Sequence, residues 1–555
     1  MKYGHIIAAG LAGFVDGHLT GSLCTRQGWE IHATEKLTYG IRLQCNRLSH
    51  HVPSLYQDPS TASYEQLINA RWSNNSILHP ACVVTPKSAD DVSRTVRLLV
   101  TYRCNFSVKG GGHNANPGAN SIDNGVSVDL GSLNSAYLAS DRSYVSLGAG
   151  ITWGQAYDMF NNSNVGFVGG LHDGISAGGL SLGGGTSLFQ ASKGWAVDNI
   201  LNYEVVLACG TIVNANQRNN ADLFKALKGG NTNFGIVTRV DFKTFEFKGL
   251  WDAEVVVSLK GPQVGRSEML DKISRTMVDF VANNDKDVAT SIHVAVTYVA
   301  ATQQELAILA ITNSDNVENP ALGRPARAVP NQRANVARHG KVANYVHAIS
   351  RFQTKGSRQV TATVTISNDY DTLRGIWEAS DMVYNELPEK VGVQWIVQVF
   401  PQPKIQQSYA MKHGGNSLGL ADVKEDQLGK PRPCRETPLE IMYLLLMTCG
   451  KTMPIVIWLT ARWNNTGFDG MMDTAQKRFV QATEEVGRKH GTLSPFLYIN
   501  FAGYFQNPLC GYGPESVAHL GKVAKKYDPR GVFQHLMKGG FKISQAGCAH
   551  GGHKG

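Results

Sequence analysis

A run of three glycines that ends in a histidine is the strongest chemical signal in the sequence. The segment VKGGGHNANPG occupies residues 108–118 and follows a strand-like run from Cys104 to Val108. Glycines expose successive backbone N–H groups and let the chain approach a large anionic ligand closely. His113, at the end of this loop, would hold a nucleophilic nitrogen beside that ligand.

A second glycine cluster follows about seventy residues later, as GGLSLGGGTS at 178–187. Neither cluster has the GxGxxG spacing of a Rossmann dinucleotide site, and neither ends in the Gly-Lys-Ser/Thr of a P-loop. Two such clusters, with a histidine closing the first, predict a cofactor that carries a pyrophosphate and a reactive ring.

Seven segments, in this order and spacing, resemble the berberine-bridge-like branch of the vanillyl-alcohol oxidase superfamily, in particular the FAD-linked oxidoreductases of fungi. The segments are LHPACVVTPKSADDVSRTVRLL (78–99), FSVKGGGHNANPG (106–118), GGLSLGGGTS (178–187), VDNI (197–200), DLFKALKGGNTNFGIVT (222–238), YIN (498–500) and KYDPRGVFQ (526–534). The resemblance runs from about Arg71 to Phe247 and returns from Leu497 to Gln534. It implies an α+β fold with a PCMH-type FAD-binding domain.

The resemblance also implies covalent attachment of FAD at His113. In the family, the matching histidine bonds to the 8α-methyl group of the isoalloxazine ring, which requires a neutral imidazole held against the ring. Some members add a bond from a cysteine, but His172 stands at that position here, so we expect attachment through His113 alone. Lys109 stands where the family usually has arginine and keeps the positive charge without the forked geometry.

Further FAD contacts are assigned by the same resemblance. Gly110, Gly111 and Gly112 would hold the pyrophosphate, and Ile175 occupies the position that gates oxygen near the flavin. Valine there accompanies oxidases and leucine accompanies dehydrogenases, so isoleucine leaves that choice open. The other residues expected to bind the cofactor are Asn114, Gly178, Gly179, Gly183, Gly184, Asp198, Asn199 (the last two at the adenosine portion), Ile236, Val237 and Asn500.

The resemblance gives two candidate catalytic residues, Tyr498 and His172. In the family, the tyrosine of the YIN strand is often the base that deprotonates a substrate hydroxyl. A phenol with a pKa of about 10 needs help from a cation or an amide donor to do so. The residues from Phe501 to Tyr504 depart from the family pattern, which leaves the shape of the substrate pocket open. His172 lies either near the flavin ring or in a loop without a catalytic role.

Together these features predict a flavin oxidase. A hydride would pass from a small organic substrate to flavin N5, and oxygen would take the electrons to give hydrogen peroxide. The fungal resemblance favours a secondary-metabolite alcohol, phenol or amine, with product cyclisation as one outcome. A carbohydrate oxidase would need an open aromatic groove, for which Trp395, Trp458 and Trp463 are candidates, although core positions suit them better. A non-catalytic flavin-binding protein is the third alternative.

Composition places the chain among ordinary globular proteins and excludes several function classes. The 555 residues are 42% hydrophobic and 17% charged, with a net charge of +9. Lysine and arginine are scattered and not grouped with aromatic residues, so we expect no nucleic-acid partner. No apolar run reaches the roughly 20 residues of a membrane span. The nine cysteines show no zinc-ligand spacing, so no metal is expected. The oligomeric state stays open.

The N-terminus suggests entry into the secretory pathway. Lys2 precedes an apolar stretch from Ile6 to Val15 that could serve as a signal peptide, although Asp16 interrupts it. Four glycosylation sequons lie at Asn74, Asn105, Asn161 and Asn464. We therefore expect a secreted or lumenal protein, with a cytoplasmic one as the alternative. In that setting Cys45, Cys82 and Cys104 are candidates for a disulfide of unknown pairing, whereas Cys209 is interpreted as a buried strand cysteine.

The length of the chain and the change in its secondary-structure pattern after the first half predict two main domains. We expect a leader or loose entry segment at 1–60, a discontinuous FAD-binding domain at 61–249 and 495–540, a substrate domain at 250–494, and a flexible tail at 541–555. Alternating strands at 291–300, 305–313, 391–400 and 452–463 predict a large antiparallel sheet backed by helices for the substrate domain. Segments 315–345 and 420–440 are polar and are predicted to be loops.

Overall fold

The computed structural model describes residues 47–352, 355–420 and 454–548, and the fold is α+β, as predicted. The strands are β1 Tyr56–Gln57, β2 Cys82–Val84, β3 Phe106–Lys109, β4 Val126–Asp129, β5 Ala136–Leu138, β6 Tyr144–Gly148, β7 Val165–Phe167, β8 Ile200–Val206, β9 Ile212–Asn216, β10 Ile236–Glu246, β11 Leu250–Ser258, β12 Thr290–Val299, β13 Gln304–Asn313, β14 Gln332–Gly340, β15 Arg358–Ser367, β16 Gln394–Pro401, β17 Pro454–Trp463 and β18 Leu493–Ser494. The helices are α1 Tyr64–Asn69, α2 Ala89–Thr101, α3 Trp153–Phe160, α4 Ala177–Leu180, α5 Gln190–Lys193, α6 Ala221–Leu227, α7 Arg266–Asn283, α8 Arg324–Arg327, α9 Val342–Ser350, α10 Tyr370–Glu386, α11 Lys404–Gln407, α12 Asp469–His490, α13 Pro514–Tyr527 and α14 Val532–His535.

The first sheet has the order β1-β2-β4-β3, and its last three strands run parallel. Helix α2 begins where the sequence predicts it, because the hydroxyl of Ser88 accepts a hydrogen bond from the amide of Asp91. The apolar face of α2, including Val92, Val96 and Leu99, is buried. Strand β3 ends at Lys109, so the sheet delivers the first glycine loop directly at its edge.

The second sheet is antiparallel, with the order β5-β6-β10-β8-β9, and β7 also pairs with β10. Strand β10 is its longest member because it pairs with three different strands. Strands β8 and β9 form the hairpin predicted at Gly210, whose φ of 79° suits a glycine turn. Short helices α4 and α5 lie between β7 and β8, and the second glycine cluster spans α4 and the turn after it.

The third sheet is the large antiparallel sheet predicted for the substrate region. It has eight strands in the order β14-β11-β13-β12-β16-β17-β15-β18. Helices α7, α10 and α12 contribute Ile273, Trp377 and Phe479 to the core on one face of this sheet. Some of its strand pairs are distant in sequence, since β16 and β17 are neighbours although residues 402–453 separate them along the chain.

The buried apolar residues form two large cores. The first joins residues 48–250 with residues 496–546, and it also includes Tyr345, Phe400 and Trp458 from the large-sheet region. The second lies between residues 251 and 482. The predicted domain limits at 60, 249 and 495 stay predictions, but the C-terminal residues do share a core with the first two sheets.

Two segments differ from their predictions. Residues 315–345 are not simply a loop, because they contain α8, β14 and the start of α9. Strand β14 lies at the edge of its sheet, and its residues are at least partly exposed. Its sequence is therefore polar and lacks the alternation of apolar and polar residues that predicts a strand. Residues 47–60 are not a loose entry segment, since Leu48, Val52 and Leu55 are buried in the first core. The segment 1–46 and most of 420–440 lie outside the described residues.

The cysteines also require corrections. Cys104 is a free, buried thiol, so it does not form the bridge proposed for it, and burial raises its pKa to about 12. Cys82 is disulfide-bonded, as is Cys209, which lies in the β8–β9 turn and not in a strand. Cys510 bonds to Cys548, so the segment up to residue 548 is tied down and is not a flexible tail. Cys45 lies outside the described residues.

Candidate functional site

His113 lies between two aromatic rings at the end of the first glycine loop. Its imidazole stacks on Trp72 with a centroid distance of 4.4 Å, and the ring of His172 meets it edge-on at 4.5 Å. Burial, and then the neighbouring His172 and Lys355, hold the pKa of His113 well below its usual range, so the imidazole is neutral at physiological pH. Its Nε2 atom is buried and has no hydrogen-bond partner among the described residues. A neutral imidazole with an uncommitted nitrogen is what nucleophilic attack requires.

The first glycine loop offers unpaired backbone donors. Within the described part of the chain, the amides of Gly111, Gly112 and His113 donate no hydrogen bond. Buried backbone donors are nearly always paired, so this row of amides fits an anionic ligand such as a pyrophosphate. A Cβ atom on Gly111 would lie 2.6 Å from the carbonyl oxygen of Gly174, so this glycine is also required by the crossing of two backbones.

Lys109 is placed beneath this loop, not along it. Its ammonium group forms a buried ion pair with Asp129, with an Nζ to Oδ2 distance of 2.9 Å. Its predicted contact with FAD stays a prediction, and the structure shows that the charge already has a partner within the fold. Asn114, another predicted contact, is exposed and accepts a hydrogen bond from the amide of Asn116.

The second glycine cluster is held by the segment that contains Tyr498 and Asn500, which is irregular and ends in a turn where the sequence predicted a strand. The hydroxyl oxygen of Tyr498 accepts hydrogen bonds from the amides of Gly185 and Thr186, at 3.0 and 3.1 Å. The side-chain amide of Asn500 donates to the same oxygen at 3.0 Å. A Cβ atom on Gly183 would lie 2.0 Å from the side-chain oxygen of Asn500. The fold therefore brings these predicted residues together across more than 300 positions of sequence.

These contacts bear on the role predicted for Tyr498. The ring is fully buried, and burial raises the pKa of its hydroxyl although three donors oppose the shift. A phenol with a raised pKa is a weak base at neutral pH, and its oxygen already accepts three hydrogen bonds. The geometry therefore favours a role in shaping the glycine turn; the role as base stays a prediction.

His172 lies beside His113 and connects it to a carboxylate. Its Nδ1 atom accepts a hydrogen bond from the amide of Gly174 at 3.1 Å and lies 3.4 Å from the carboxylate of Asp173. The side chain is 8% exposed, so it is nearly sealed, whereas Asp173 is partly open to solvent. Ile175 follows in the same turn and is partly buried. His172 therefore lies beside His113, and its expected position near the flavin ring stays a prediction.

The residues predicted at the adenosine portion lie deep in the first core. Asp198 accepts hydrogen bonds from the amide of Trp195 and from the side chain of Asn416, and burial raises its pKa to about 6. The side chain of Asn199 donates to the carbonyl groups of Lys193 and Trp195. Ile236 and Val237 lie in β10 against β8 and are buried.

The sequence reading missed several groups that shape this site. Trp72 stacks on His113, but it stands alone in sequence among polar residues. Lys228 is fully buried beside the Asp198 region and donates to the carbonyl oxygen of His413; burial lowers its pKa to about 7. Asp173 and His347 meet across the two halves of the chain. Because these two residues are far apart in the sequence, no local sequence pattern predicts their contact.

The aromatic residues of the large sheet do not form an open groove. Trp395, Trp458 and Trp463 are all buried, as expected for core residues, and each indole N–H has an acceptor. Trp458 stacks on Phe501, with ring centroids 4.1 Å apart. Phe501 directly follows Asn500, so this stack joins strand β17 of the third sheet to the segment that holds the second glycine cluster.

The chain is similar to known FAD-dependent proteins. The family described as FAD binding domain matches residues 80–216. The FAD-dependent monooxygenase drtC of Aspergillus calidoustus is 29% identical over 490 residues, covering 86% of each chain. The FAD-dependent monooxygenase tpcD of Cochliobolus heterostrophus is 29% identical over 513 residues, covering 89% of this chain and 91% of its own.

The chain is therefore an oxidoreductase with an FAD-binding domain, and it is similar to the berberine-bridge-like flavoenzymes. Solved structures share the fold of this oxidoreductase at low sequence identity. The 6-hydroxy-D-nicotine oxidase of Arthrobacter nicotinovorans superimposes with a TM-score of 0.67 at 18% identity, covering 86% of this chain and 96% of its own. The xylooligosaccharide oxidase of Myceliophthora thermophila C1 gives 0.69 at 17% identity, covering 91% and 99%.

Neither a membrane-spanning helix nor a cluster of metal-binding side chains occurs within the residues that the structure describes. Over 47–352, 355–420 and 454–548, none of the helices has the length and apolar character needed to cross a membrane. The same ranges hold no group of three or more histidine, cysteine or acidic side chains arranged to bind a metal ion.

Proposed function

We propose that this protein is an oxidase that carries FAD on His113 and uses it to oxidise a small organic molecule. The observation that carries the proposal is His113 itself: a neutral imidazole with a buried nitrogen, beside a loop of backbone amides, all without a hydrogen-bond partner among the described residues. The glucooligosaccharide oxidase of Acremonium strictum, which shares the fold at a TM-score of 0.69 and 15% identity over 89% of this chain and 98% of its own, carries a 6-S-cysteinyl, 8α-N1-histidyl FAD. His172 in place of a cysteine leaves one attachment point in this chain.

When bound, FAD supplies the hydride acceptor and passes the electrons to dioxygen, giving hydrogen peroxide. The chain itself provides the binding geometry. The amides of Gly111 to His113 would bind the pyrophosphate, and Trp72 fixes the plane of the His113 ring. Tyr498 and Asn500 would hold the second glycine turn in the shape that the cofactor requires. The ring contacts of Phe501 with Trp458 and Tyr498 would limit the access of water to this side of the site.

The proton of the substrate must also leave, and two residues are candidates to accept it. Tyr498 carries a raised pKa and three hydrogen-bond donors on its oxygen. His172 lies next to a carboxylate that reaches solvent. We propose that His172 transfers the proton and that Tyr498 positions the loop.

The substrate class rests on the relatives and on the buried tryptophans. Curated relatives named FAD-dependent monooxygenases, from several fungi, favour a secondary metabolite with an oxidisable alcohol, phenol or amine. Their name also supports a second candidate, in which an oxygen atom enters the product. The oligosaccharide oxidases share only the fold, and the burial of Trp395 and Trp463 removes the stacking groove that a sugar oxidase would need.

Anaerobic stopped-flow reduction of the flavin by fungal phenols, alcohols and amines tests the proposal. Bleaching of the yellow colour identifies a substrate; admission of oxygen should then restore the colour and release one equivalent of peroxide. Incorporation of labelled oxygen into the product would instead identify a monooxygenase. With a substrate in hand, His172→Gln should slow reduction by about 10²–10⁴-fold, and Tyr498→Phe should slow it less. The reverse order would restore Tyr498 as the base.

We further propose that the protein matures in the secretory pathway. The Cys510–Cys548 bridge and the disulfide-bonded Cys82 and Cys209 suit an oxidising compartment. Expression in a secreting host, followed by enzymatic removal of N-glycans, tests this: a shift in mass would support it, and a protein found unglycosylated in the cytoplasm of its own organism would contradict it.

A further inference from the structure

A chain of alternating histidines and carboxylates leads from His113 to the surface. His172 meets His113 edge-on, and its Nδ1 atom lies 3.4 Å from a carboxylate oxygen of Asp173. The other oxygen of Asp173 lies 3.7 Å from Nδ1 of His347, and Nε2 of His347 lies 3.0 Å from Asp158. His172 and the Nε2 atom of His113 are buried, whereas Asp173, His347 and Asp158 are partly exposed, so the chain runs from the interior to bulk water.

Helix α9 holds the middle of this chain. Besides the contact of His347 with the Asp173 carboxylate, the hydroxyl of Ser350 accepts a hydrogen bond from the amide of Asp173 at 3.0 Å. Helix α3 supplies Asp158 on the far side of His347, and Gly154 of the same helix leaves room for the contact. A Cβ atom there would lie 2.8 Å from the Cβ of Asp173. The turn that carries His172 is thus fixed by two side chains of helix α9 and by the backbone amide of Gly154 in helix α3, which donates to the carbonyl oxygen of Asp173 at 3.1 Å.

We propose that His172 and Asp173 form the proton path by which His113 is deprotonated when FAD becomes attached, with His347 and Ser350 as positioning residues for Asp173. The inference rests on the proposed covalent attachment at His113. It extends that proposal by assigning a specific task to four residues of this chain.

The chemistry of attachment requires such a path. One N–H bond of the imidazole and one C–H bond of the flavin methyl group break, and one N–C bond forms. Two electrons and two protons end on dioxygen as hydrogen peroxide. Because the Nε2 atom of His113 is buried and the rings of Trp72 and His172 flank the imidazole, water has little access to a proton on that nitrogen. His172 is the neighbouring group that can accept it, and Asp173 can pass it to solvent.

Other charges near the path do not offer the same route. Lys355 faces His113 and lowers its pKa, which favours the neutral imidazole but cannot accept a proton while charged. Lys109 is committed to Asp129 on the other side of the glycine loop. The hydrogen bond from His347 to Asp158 raises the pKa of His347, so this ring tends to be cationic and draws the Asp173 carboxylate towards it.

The test uses full-length apoprotein mixed with FAD and oxygen. Aliquots are denatured over time, and the flavin fluorescence that stays with the protein band gives the rate of attachment. Binding before attachment is measured separately from the quenching of free FAD. We expect His172→Gln and Asp173→Asn to slow attachment by about 10²-fold or more while FAD still binds. His347→Gln should slow it less, and raising the pH should restore much of the rate in all three variants.

Matched controls keep the result specific. His339→Gln removes an exposed histidine that contacts Asn316, and Asp141→Asn removes an exposed carboxylate that caps Ser143; both should attach FAD at the wild-type rate. Wild-type rates in His172→Gln and Asp173→Asn would overturn the proton path. Attachment that persists in His113→Ala would instead overturn the proposed attachment site. If His172→Gln does not fold, Asp173→Asn still decides, since an unchanged attachment rate in that variant at every pH would overturn the proton path.

Discussion

The two glycine-rich loops of the FAD site look alike in sequence but are built in different ways. In the first loop, the amides of Gly111 and Gly112 have no partner among the described residues, and the glycines make room for a crossing backbone. In the second, the amide of Gly185 is bound to the hydroxyl of Tyr498, and Gly183 makes room for a side chain. The first loop is therefore ready for a ligand, while the second is shaped by the protein. Glycine composition alone does not distinguish these two uses.

The largest effect expected is the loss of attached flavin in His113→Ala. The imidazole is the proposed attachment point, and the structure leaves its Nε2 without another partner. Denatured wild-type protein should stay fluorescent, and the variant should release all of its flavin. His172→Ala should keep some attached flavin in long incubations. A flavin-bearing peptide that contains a cysteine would contradict attachment through His113 alone.

The next largest effect should come from Gly111→Ala. The added methyl group would lie 2.6 Å from the carbonyl oxygen of Gly174 and 2.8 Å from the amide of Ser176, and neither backbone group can move aside easily. We expect a loss of about 3 kcal/mol in the free energy of unfolding, measured by denaturant titration, together with loss of FAD binding. Gly521→Ala, in helix α13 with open space around it, is the control and should be neutral or slightly stabilising. An equally stable Gly111→Ala variant would refute the backbone crossing.

Gly183→Ala should be milder and, unlike Gly111→Ala, should be open to rescue. Its methyl group would meet the side chain of Asn500, which can be shortened. We expect the single variant to cost about 1–3 kcal/mol, and the cost to vanish when Gly183→Ala is made in an Asn500→Ala background. Additive effects in this double-mutant cycle would show that the two residues do not meet.

The smallest effect concerns the contact between helices α3 and α9. The hydrogen bond with Asp158 raises the pKa of His347 above its unfolded value. Its contribution to stability is therefore complete below the unfolded pKa of about 6.5 and is lost as the pH rises through the folded pKa. The melting temperatures of wild type and His347→Gln should differ most in mild acid and converge in alkaline buffer. A difference that grows with pH would have the wrong sign.

Much of the FAD half of the molecule is readable from sequence because its elements are local. Helix α2 has its own cap at Ser88, the β8–β9 hairpin turns at Gly210, and the glycine loop directly follows β3. The loop predicted at 315–345 fails because edge strand β14 has no buried face to reveal it. The contact of Asp173 with His347 could not be predicted, because it depends on how the turn that carries His172 packs against helix α9 and not on any spacing in the sequence. The same holds for the two backbone donors to Tyr498, the amides of Gly185 and Thr186, which come from a distant part of the chain; the third donor, Asn500, is only two residues away.

The hydrogen bonds of Tyr498 also determine when the second glycine turn can take its final shape during biosynthesis. Its partners, Gly185 and Thr186, leave the ribosome more than 300 residues before the tyrosine does. Until then the second glycine turn lacks the hydroxyl that fixes its shape, and the first core lacks its C-terminal portion. Cofactor capture is therefore a post-translational event, and nascent chains that stall before residue 498 would reach the quality-control machinery without flavin.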